Sequence, residues 1–262
     1  MTTSPGFEAV AALAAREPKR VAVFSDLDGT LSHLISDPDA VTPVPGAVDA
    51  MTELADAMGH VAVVSGRPVS FLSRFFEPPV ELSGLYGIEH RNGTGLSVLP
   101  TAVEWVPVIS EVAADCERRF GPKAVENKTY SLTVHYRGQP PERAVEIERW
   151  ADEVADQRGL HARPAKMSIE LHPPISRNKG DAIEDMLGEI DAAVYFGDDV
   201  GDRSAFERLA EVHADGALET FAAVLVQGVE TPEVLQEVTT DVISTPEEVV
   251  AMLEQLNEST TT

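Results

Sequence analysis

Cysteine, basic side chains and long apolar runs are scarce in this sequence of 262 residues. Its single cysteine, Cys116, excludes an intrachain disulfide and a thiolate metal cluster, which suits a reducing compartment. No apolar run approaches the roughly 20 residues that cross a bilayer, and the start of the chain lacks the basic segment of a signal peptide. We therefore expect a cytoplasmic protein with no membrane partner.

Positive charge is also scarce, since 20 Lys and Arg stand against 44 Asp and Glu, for a formal net charge of -24. A surface of this sign repels nucleic acid and anionic lipid, so neither is expected as a partner. It also repels phosphorylated small molecules in bulk. A phosphate site on this chain therefore needs local positive charge from a metal ion, a lysine or a helix N-terminus. The oligomeric state stays open, with a monomer as the simplest expectation.

Short, solidly apolar runs alternate with helical patterns in the outer parts of the chain, which is typical of a parallel α/β sheet. The runs predict strands at 21–24, 61–64 and 192–196. Each run ends in polar residues. Because ligands of parallel sheets collect beyond the carboxyl ends of the strands, we expect these polar residues to share one site.

The pattern changes between residues 101 and 176, where predicted strands alternate apolar and polar residues. At 130–137 and 166–172, one face is apolar and the other polar, which indicates a sheet with one open face. Helical patterns precede and separate these strands. We therefore predict an α+β domain over 101–176, inserted into a core of 1–100 and 177–262. A final helix is predicted over 246–256, and the polar tail 257–262 is expected to be disordered.

Three strand ends and one helix start carry polar residues that a core does not need. These are Asp26 and Asp28, Ser65, Asp198 and Asp199, and Lys179. Asp26 and Asp28 point into one space if the chain stays extended, and two anions there need a cation. Taken singly, each residue has an ordinary interpretation as a turn, cap or solvated side chain. Taken together, they indicate a site that binds an anion and needs a cation beside the carboxylates.

These residues form four motifs that resemble those of the haloacid-dehalogenase-like (HAD) phosphohydrolases. The motifs are Asp26-Leu27-Asp28-Gly29-Thr30, Ser65, Lys179 and Gly197-Asp198-Asp199. The resemblance implies a Rossmann-like parallel-sheet core of class α/β with an inserted α+β cap of the C2 type. It also implies that Asp26 attacks phosphorus and is transiently phosphorylated. Asp28 would be the general acid and then the base, and Ser65 and Lys179 would bind the transferring phosphoryl group.

Mg²⁺ is the expected metal, because carboxylate, carbonyl, water and phosphate oxygens are the ligands on offer. By resemblance, its ligands are the Asp26 carboxylate, the Asp28 backbone carbonyl and Asp198. Asp199 belongs to the same metal site, and Asp199 and Asp202 would hold waters or orient Lys179. A carboxylate is a competent nucleophile toward phosphorus when a divalent cation offsets the charge.

Further motifs between 24 and about 206 are similar to those of the trehalose-6-phosphate phosphatases. They are Leu31-Ser32, Ser65-Gly66-Arg67-Pro68, 84–89, 125–128 through 135–137, and Ile169-Glu170-Leu171 before Asn178-Lys179-Gly180. The resemblance implies hydrolysis of trehalose 6-phosphate to trehalose and phosphate, with a cap that closes over the core and grips the sugar. The substrate-binding residues that it implies are Arg67, Glu126, Lys128, Arg137, Lys166 and Glu170.

The sequence departs from that family around Asp202, where Gly201 and Arg203 replace the usual threonine and glutamate. Two other interpretations stay open. One is a capped phosphatase for a different sugar phosphate, such as a sucrose or glucosylglycerol phosphate. The other is a non-catalytic sugar-phosphate sensor on a phosphatase scaffold, which these two departures alone support.

Overall fold

A computed structural model describes residues 4–35, 37–165, 167–228 and 231–260, so the predicted substrate-binding residue Lys166 lies outside the described residues. The chain divides into two compact units. Met1–Ser97 and Arg177–Thr262 form the first, here called the core unit, and Val98–Ser176 form the second, here called the insert unit. Within the described ranges, no helix is both long enough and apolar enough to span a bilayer.

The first stretch of the core unit alternates helices and strands. Its elements are α1 (Pro5–Ala14), β1 (Val21–Ser25), α2 (Ala47–Ala57), β2 (His60–Val64), α3 (Val69–Leu72), β3 (Glu81–Gly84), β4 (Glu89–Asn92) and β5 (Gly95–Val98). The solidly apolar runs form β1 and β2, and all five residues of β1 are buried. Such runs suit strands that are covered on both faces.

The described residues of the insert unit form three α-helices and a four-stranded antiparallel sheet. Its elements are α4 (Pro100–Val103), α5 (Val106–Phe120), β6 (Val125–Asn127), β7 (Leu132–His135), α6 (Pro141–Arg158), β8 (His161–Ala165) and β9 (Ser168–His172). The strand order is β6-β7-β9-β8. Leu132, Val134, Ile169 and Leu171 pack with residues of α5 and α6 in one buried cluster. The alternation of the sequence thus gives one face that packs on the helices and one polar face.

The chain then completes the core unit. The remaining elements are α7 (Lys179–Leu187), β10 (Ala192–Gly197), α8 (Arg203–Ala214), β11 (Thr220–Val226), β12 (Asp241–Ile243) and α9 (Pro246–Thr260). The core sheet has eight strands in the order β12-β11-β10-β1-β2-β3-β4-β5. Pairing is parallel from β12 to β3 and turns antiparallel at β4. The predicted α/β class with a mainly parallel sheet is confirmed.

The centre of the core sheet brings the predicted strand ends to one edge. Ser25, the last residue of β1, pairs with Phe196 of β10 and with Val63 of β2. The chain leaves β1 toward β2 on one side and returns as β10 on the other, so β1 stands at a switch point of the topology. Ligands of open α/β sheets bind at such points, beyond the carboxyl ends of the strands.

The expectation of a disordered tail is wrong for residues 257–260, because α9 continues to Thr260. The Asn257 side-chain amide donates to the Ala50 carbonyl and to the Glu53 carboxylate of α2, and the Thr260 hydroxyl donates to the Asn257 carbonyl. These polar contacts hold the last helical turn against α2, which a composition-based expectation of disorder does not detect.

Candidate active site

The turn after β1 is closed by backbone hydrogen bonds and packs directly on Asp198. The Asp26 amide donates to the Phe196 carbonyl at 2.9 Å, which continues the β1–β10 ladder by one residue. Gly29 has a φ of 80°, and a Cβ atom there would lie 2.1 Å from the Asp198 Oδ2 atom. Only glycine suits this place, because it needs both the left-handed conformation and the close approach.

Lys179 joins two carboxylates at the start of α7. Its Nζ atom lies 3.0 Å from Asp26 Oδ2 and 2.6 Å from Asp202 Oδ1, and the side chain is 3% exposed. Burial opposes the charge on Lys179, but attraction to Asp202 and Asp26 outweighs it and raises the pKa of Lys179 well above its usual value. The amine is therefore a fixed cation next to Asp26.

Asp202 is fully buried and accepts hydrogen bonds from four donors. Its Oδ1 atom accepts from Lys179 Nζ and from the Tyr195 hydroxyl, each at 2.6 Å. Its Oδ2 atom accepts from the amides of Asp198 and Asp199, at 2.9 and 3.0 Å. These contacts suit a supporting residue that orients Lys179 and the loop after β10.

Tyr195 was not predicted as part of the site, since it lies inside the apolar run 192–196. A signal was present, because a tyrosine in an otherwise aliphatic buried strand needs a partner for its hydroxyl. That partner is Asp202.

Negative charge is in excess at this edge of the sheet. Burial raises the pKa of Asp26 well above its usual range, against the lowering effect of Lys179 and with the support of Asp202. Burial, with the charges of Asp26 and Asp202, raises the pKa of Asp198 to about 9. One lysine does not neutralise these carboxylates, so the site favours a further cation.

The donor atoms fit a hard divalent cation. Asp26, Asp198 and Asp202 each offer an oxygen within 4.8 Å of the others, and all three residues are buried. In the part of the chain that the structure describes, the buried Asp198 Oδ1 atom has no hydrogen-bond partner. An unpaired buried carboxylate oxygen is costly unless a cation binds it. Because Asp202 already has four donors, Asp26 and Asp198 are the better ligands of this group.

The other two predicted metal-site residues have different partners. Asp199 Oδ1 accepts from the Gly201 amide at 2.7 Å. The Asp28 carboxylate forms a two-bond pair with Arg67, whose Nε and Nη2 atoms donate at 3.0 and 2.8 Å. The prediction for Asp28 concerns its backbone carbonyl, which this side-chain pair does not engage. The roles assigned to Asp28 and Asp199 therefore stay predictions.

Arg67 and Ser65 lie in the turn that follows β2. Arg67 also donates to the Pro38 carbonyl at 2.9 Å, and its guanidinium lies 4.3 Å from the centre of the Phe71 ring. Ser65 is buried, and its hydroxyl accepts from the Arg67 amide at 3.2 Å. Arg67 was predicted as a substrate-binding residue. In the structure, its guanidinium is paired with the Asp28 carboxylate.

Three of the predicted substrate-binding residues of the insert unit, Glu126, Lys128 and Glu170, lie on or beside its polar sheet face. Glu126, Thr133 and Glu170 stand opposite one another on β6, β7 and β9. The Glu170 carboxylate accepts from the Ser131 hydroxyl at 3.0 Å and lies 3.5 Å from Lys128 Nζ. Arg137 is exposed in the turn after β7.

The chain matches a known protein family over most of its length. The family described as trehalose-phosphatase matches residues 24–232, which begin in the last two residues of β1 and include the whole insert unit and α7 to α8. The chain belongs to the trehalose-phosphatase family. This confirms the resemblance to the HAD superfamily and to its trehalose-6-phosphate phosphatases.

Individual members of the trehalose-phosphatase family and solved structures agree with this assignment. A trehalose-phosphate phosphatase of Mycobacterium ulcerans is 35% identical over 207 residues, which cover 72% of this chain and 51% of that protein. The chain thus spans about half the length of the curated relatives it matches. A trehalose-6-phosphate phosphatase related protein of known structure has a TM-score of 0.75 at 22% identity, over 90% of this chain and 97% of that one. The C-terminal domain of the C. albicans trehalose-6-phosphate phosphatase has a TM-score of 0.73 at 20% identity, over 98% of both chains.

Proposed function

We propose that this chain is a Mg²⁺-dependent phosphatase that hydrolyses trehalose 6-phosphate to trehalose and phosphate. The observation that carries the proposal is the buried Asp26–Lys179–Asp202 cluster, with Asp198 beside it, in a chain of the trehalose-phosphatase family. The mycobacterial relatives are named trehalose-phosphate phosphatases, which supports the choice of substrate.

Asp26 acts as the nucleophile. One of its carboxylate oxygens forms a bond to phosphorus while the bond between phosphorus and the sugar oxygen breaks, which leaves a phosphorylated Asp26. Lys179, already paired with Asp26 Oδ2, stabilises the added negative charge of the transferring group. The Ser65 hydroxyl binds the same group, and Asp202 keeps Lys179 in place.

Asp28 moves the proton in both half-reactions. It donates a proton to the leaving sugar oxygen in the first step. In the second it takes a proton from the water that attacks phosphorus, while the bond between phosphorus and the Asp26 oxygen breaks and frees phosphate and Asp26. Arg67 holds the ionised Asp28 carboxylate through two hydrogen bonds, so the form that serves as the base of the second step has a fixed orientation before the substrate binds.

Asp26, Asp198 and the Asp28 carbonyl would hold Mg²⁺, with Asp199 near them. When bound, this cation would offset the repulsion between the carboxylates and the phosphate and polarise the phosphoryl oxygens. The unpaired Asp198 Oδ1 atom and the all-oxygen donor set support Mg²⁺ over softer metals.

The polar face of the insert unit is proposed to recognise the sugar, as expected for a cap domain. Glu126, Lys128 and Glu170 supply both acceptors and a donor for hydroxyl groups, and the Glu170 residue is 8% exposed. Buried polar groups of this kind discriminate between substrates strongly, because a substrate without the matching hydroxyl leaves them unpaired. Arg137 and Lys166 stay predicted members of this set.

Replacing the nucleophile tests the proposal. Asp26→Asn keeps the shape of the side chain but removes the nucleophilic oxygen anion, so we expect phosphate release from trehalose 6-phosphate to fall by at least about a thousandfold. Asp56→Asn, on the exposed side of α2, is the matched control and should keep wild-type turnover. Turnover that persists in a folded Asp26→Asn variant would contradict the mechanism.

A further inference from the structure

Two consecutive residues after β3 adopt a conformation that side chains disfavour. Leu85 and Tyr86 have φ values of 51° and 58°, in the left-handed region. Residues other than glycine rarely occupy this region, and such strain is concentrated at functional sites. Neither residue is among the predicted site residues, although both belong to the motif 84–89.

The strained segment is tied to the turn that carries Ser65. The Tyr86 amide donates to the Ser65 carbonyl at 3.2 Å, and the Leu85 amide donates to the Arg67 carbonyl at 3.0 Å. At its end, the buried Glu89 carboxylate accepts from the Val69 amide at 2.6 Å. These three hydrogen bonds fix the segment against the turn 65–69.

Gly66 makes room for the phenol of Tyr86. A Cβ atom at Gly66 would lie 2.7 Å from the Tyr86 hydroxyl oxygen and 2.8 Å from the ring carbon that bears it. Gly66 is not among the residues with a positive φ, so space and not backbone conformation accounts for the glycine. The left-handed backbone at Tyr86 and the glycine at position 66 together place the phenol hydroxyl beside the proposed phosphoryl-binding turn.

The same segment reaches the start of α7. The Gly87 carbonyl accepts a hydrogen bond from Arg177 Nη2 at 3.4 Å. Arg177 lies two residues before Lys179 in the sequence. The segment that carries Tyr86 thus contacts both elements that supply proposed phosphoryl ligands, Ser65 and Lys179.

We propose that the Tyr86 hydroxyl is a further phosphoryl ligand and donates a hydrogen bond to an oxygen of the transferring group. A phenol is a donor without charge, so it adds a directed hydrogen bond to a site whose positive charge comes from Lys179. This inference rests on the phosphoryl-transfer part of the proposed function and is independent of which sugar carries the phosphate.

Removing the single oxygen atom tests this role. Tyr86→Phe keeps the ring, so the fold is expected to persist, with an unchanged melting temperature as the check. Binding of inorganic phosphate in the presence of Mg²⁺ is measured by calorimetry, and hydrolysis of p-nitrophenyl phosphate and trehalose 6-phosphate by kcat/KM. We expect Tyr86→Phe to weaken phosphate binding and to lower both kcat/KM values, each by about tenfold.

Tyr136→Phe in the insert unit is the matched control, since its phenol lies beside Glu148 and it should match the wild type. Unchanged phosphate binding in Tyr86→Phe, or no measurable phosphate binding in the wild type, would overturn the assignment. A loss confined to trehalose 6-phosphate would also overturn it, because the hydroxyl would then contact the sugar. A wild type that cleaves p-nitrophenyl phosphate but not trehalose 6-phosphate would reject the proposed substrate and leave the Tyr86 comparison valid.

Discussion

At the residue scale, Asp202 fixes the positions of other residues in the candidate active site through hydrogen bonds, but it takes no part in the proposed reaction steps. One oxygen of its carboxylate accepts hydrogen bonds from Lys179 and Tyr195, and the other accepts them from two backbone amides. Each of these donors is buried or partly buried, and without the carboxylate Lys179 would keep only Asp26 while the other three would lose this partner. A side chain with this many buried contacts affects stability as well as activity.

We expect Asp202→Ala to lower the free energy of unfolding by about 3 kcal/mol or more, because it leaves buried donors unpaired and Lys179 with one carboxylate fewer. Urea denaturation measures the change. The control is Asp199→Ala, which removes one side-chain hydrogen bond to Gly201 and should cost about 1 kcal/mol. Equal losses in the two variants would contradict the role given to Asp202.

The raised pKa of Asp198 predicts how pH acts on the metal-free protein. A carboxyl group that holds its proton more tightly when folded makes the folded state less stable as pH rises, here between the usual value near 4 and about 9. Because Mg²⁺ binds the ionised carboxylate, its apparent affinity should rise by up to about tenfold per pH unit between pH 6 and 8.

Thermal melting with and without Mg²⁺ measures this effect, and the shift in melting temperature should be larger at pH 8 than at pH 6. Asp198→Asn should reduce the pH dependence of the shift and leave the part that comes from Asp26, whose pKa is also raised. A shift that is equal at both pH values in the wild type would mean that Asp198 is already ionised at pH 6.

Single acidic residues of the site were predictable, because Asp26, Asp28 and Asp198 each follow a solidly apolar run. Their partners were not. The pairing of Asp28 with Arg67 joins residues 39 positions apart, and no local pattern signals it. The left-handed conformation of Tyr86 was equally hidden, because a positive φ is expected at glycine and not at tyrosine.

At the scale of elements, α7 shows how a helix start can present a buried lysine. Asn178 accepts from the Asp181 amide, and the Asp181 carboxylate accepts from the Asn178 amide, which forms a capping box. A Cβ atom at Gly180 would lie 2.3 Å from the Ser204 carbonyl, so α7 packs closely against the start of α8. Capping and close packing together fix the position of Lys179 relative to Asp202.

The sheet of the insert unit offers an element-scale test of sugar recognition. Glu170→Gln keeps the size of the side chain but removes the charge that Ser131 and Lys128 face. We expect kcat/KM for trehalose 6-phosphate to fall at least about tenfold, with less than a twofold change for p-nitrophenyl phosphate.

Glu142→Gln, exposed on α6, is the matched control for this change and should leave both substrates unaffected. Equal losses on the two substrates in Glu170→Gln would reject a role in sugar recognition, since a generic phosphoester has no sugar hydroxyls to bind.

Strands were predictable from the sequence where the pattern of apolar residues was clear. Solid apolar runs predicted β1, β2 and β10, and alternation predicted β7 and β9. The polar face of β7 and β9 was expected to be open, but Thr133, Ser168 and Glu170 on it are buried. The end of α9 was not predictable, since residues 257–260 are held by side-chain contacts to α2 and not by an apolar face.

At the scale of the whole molecule, the net charge of -24 makes the site an exception to its surroundings. A phosphorylated sugar is repelled by the surface and attracted by Lys179 and the proposed cation. The departures from the family at Gly201 and Arg203 do not disturb the charges of the site. Arg203 pairs with Glu207 on its own helix at 2.7 Å, and the Gly201 amide binds Asp199, while Asp202 keeps all four donors. This geometry favours an enzyme over a non-catalytic sensor.

Substrate choice is the central claim, and a panel of sugar phosphates tests it most directly. Phosphate release is measured with Mg²⁺ for trehalose 6-phosphate, a sucrose phosphate, a glucosylglycerol phosphate and glucose 6-phosphate, and the kcat/KM values are compared. We predict that trehalose 6-phosphate is preferred by about a hundredfold or more, as expected for hydroxyl recognition by buried polar groups. Preference for another sugar phosphate, or binding of trehalose 6-phosphate without turnover, would contradict the account.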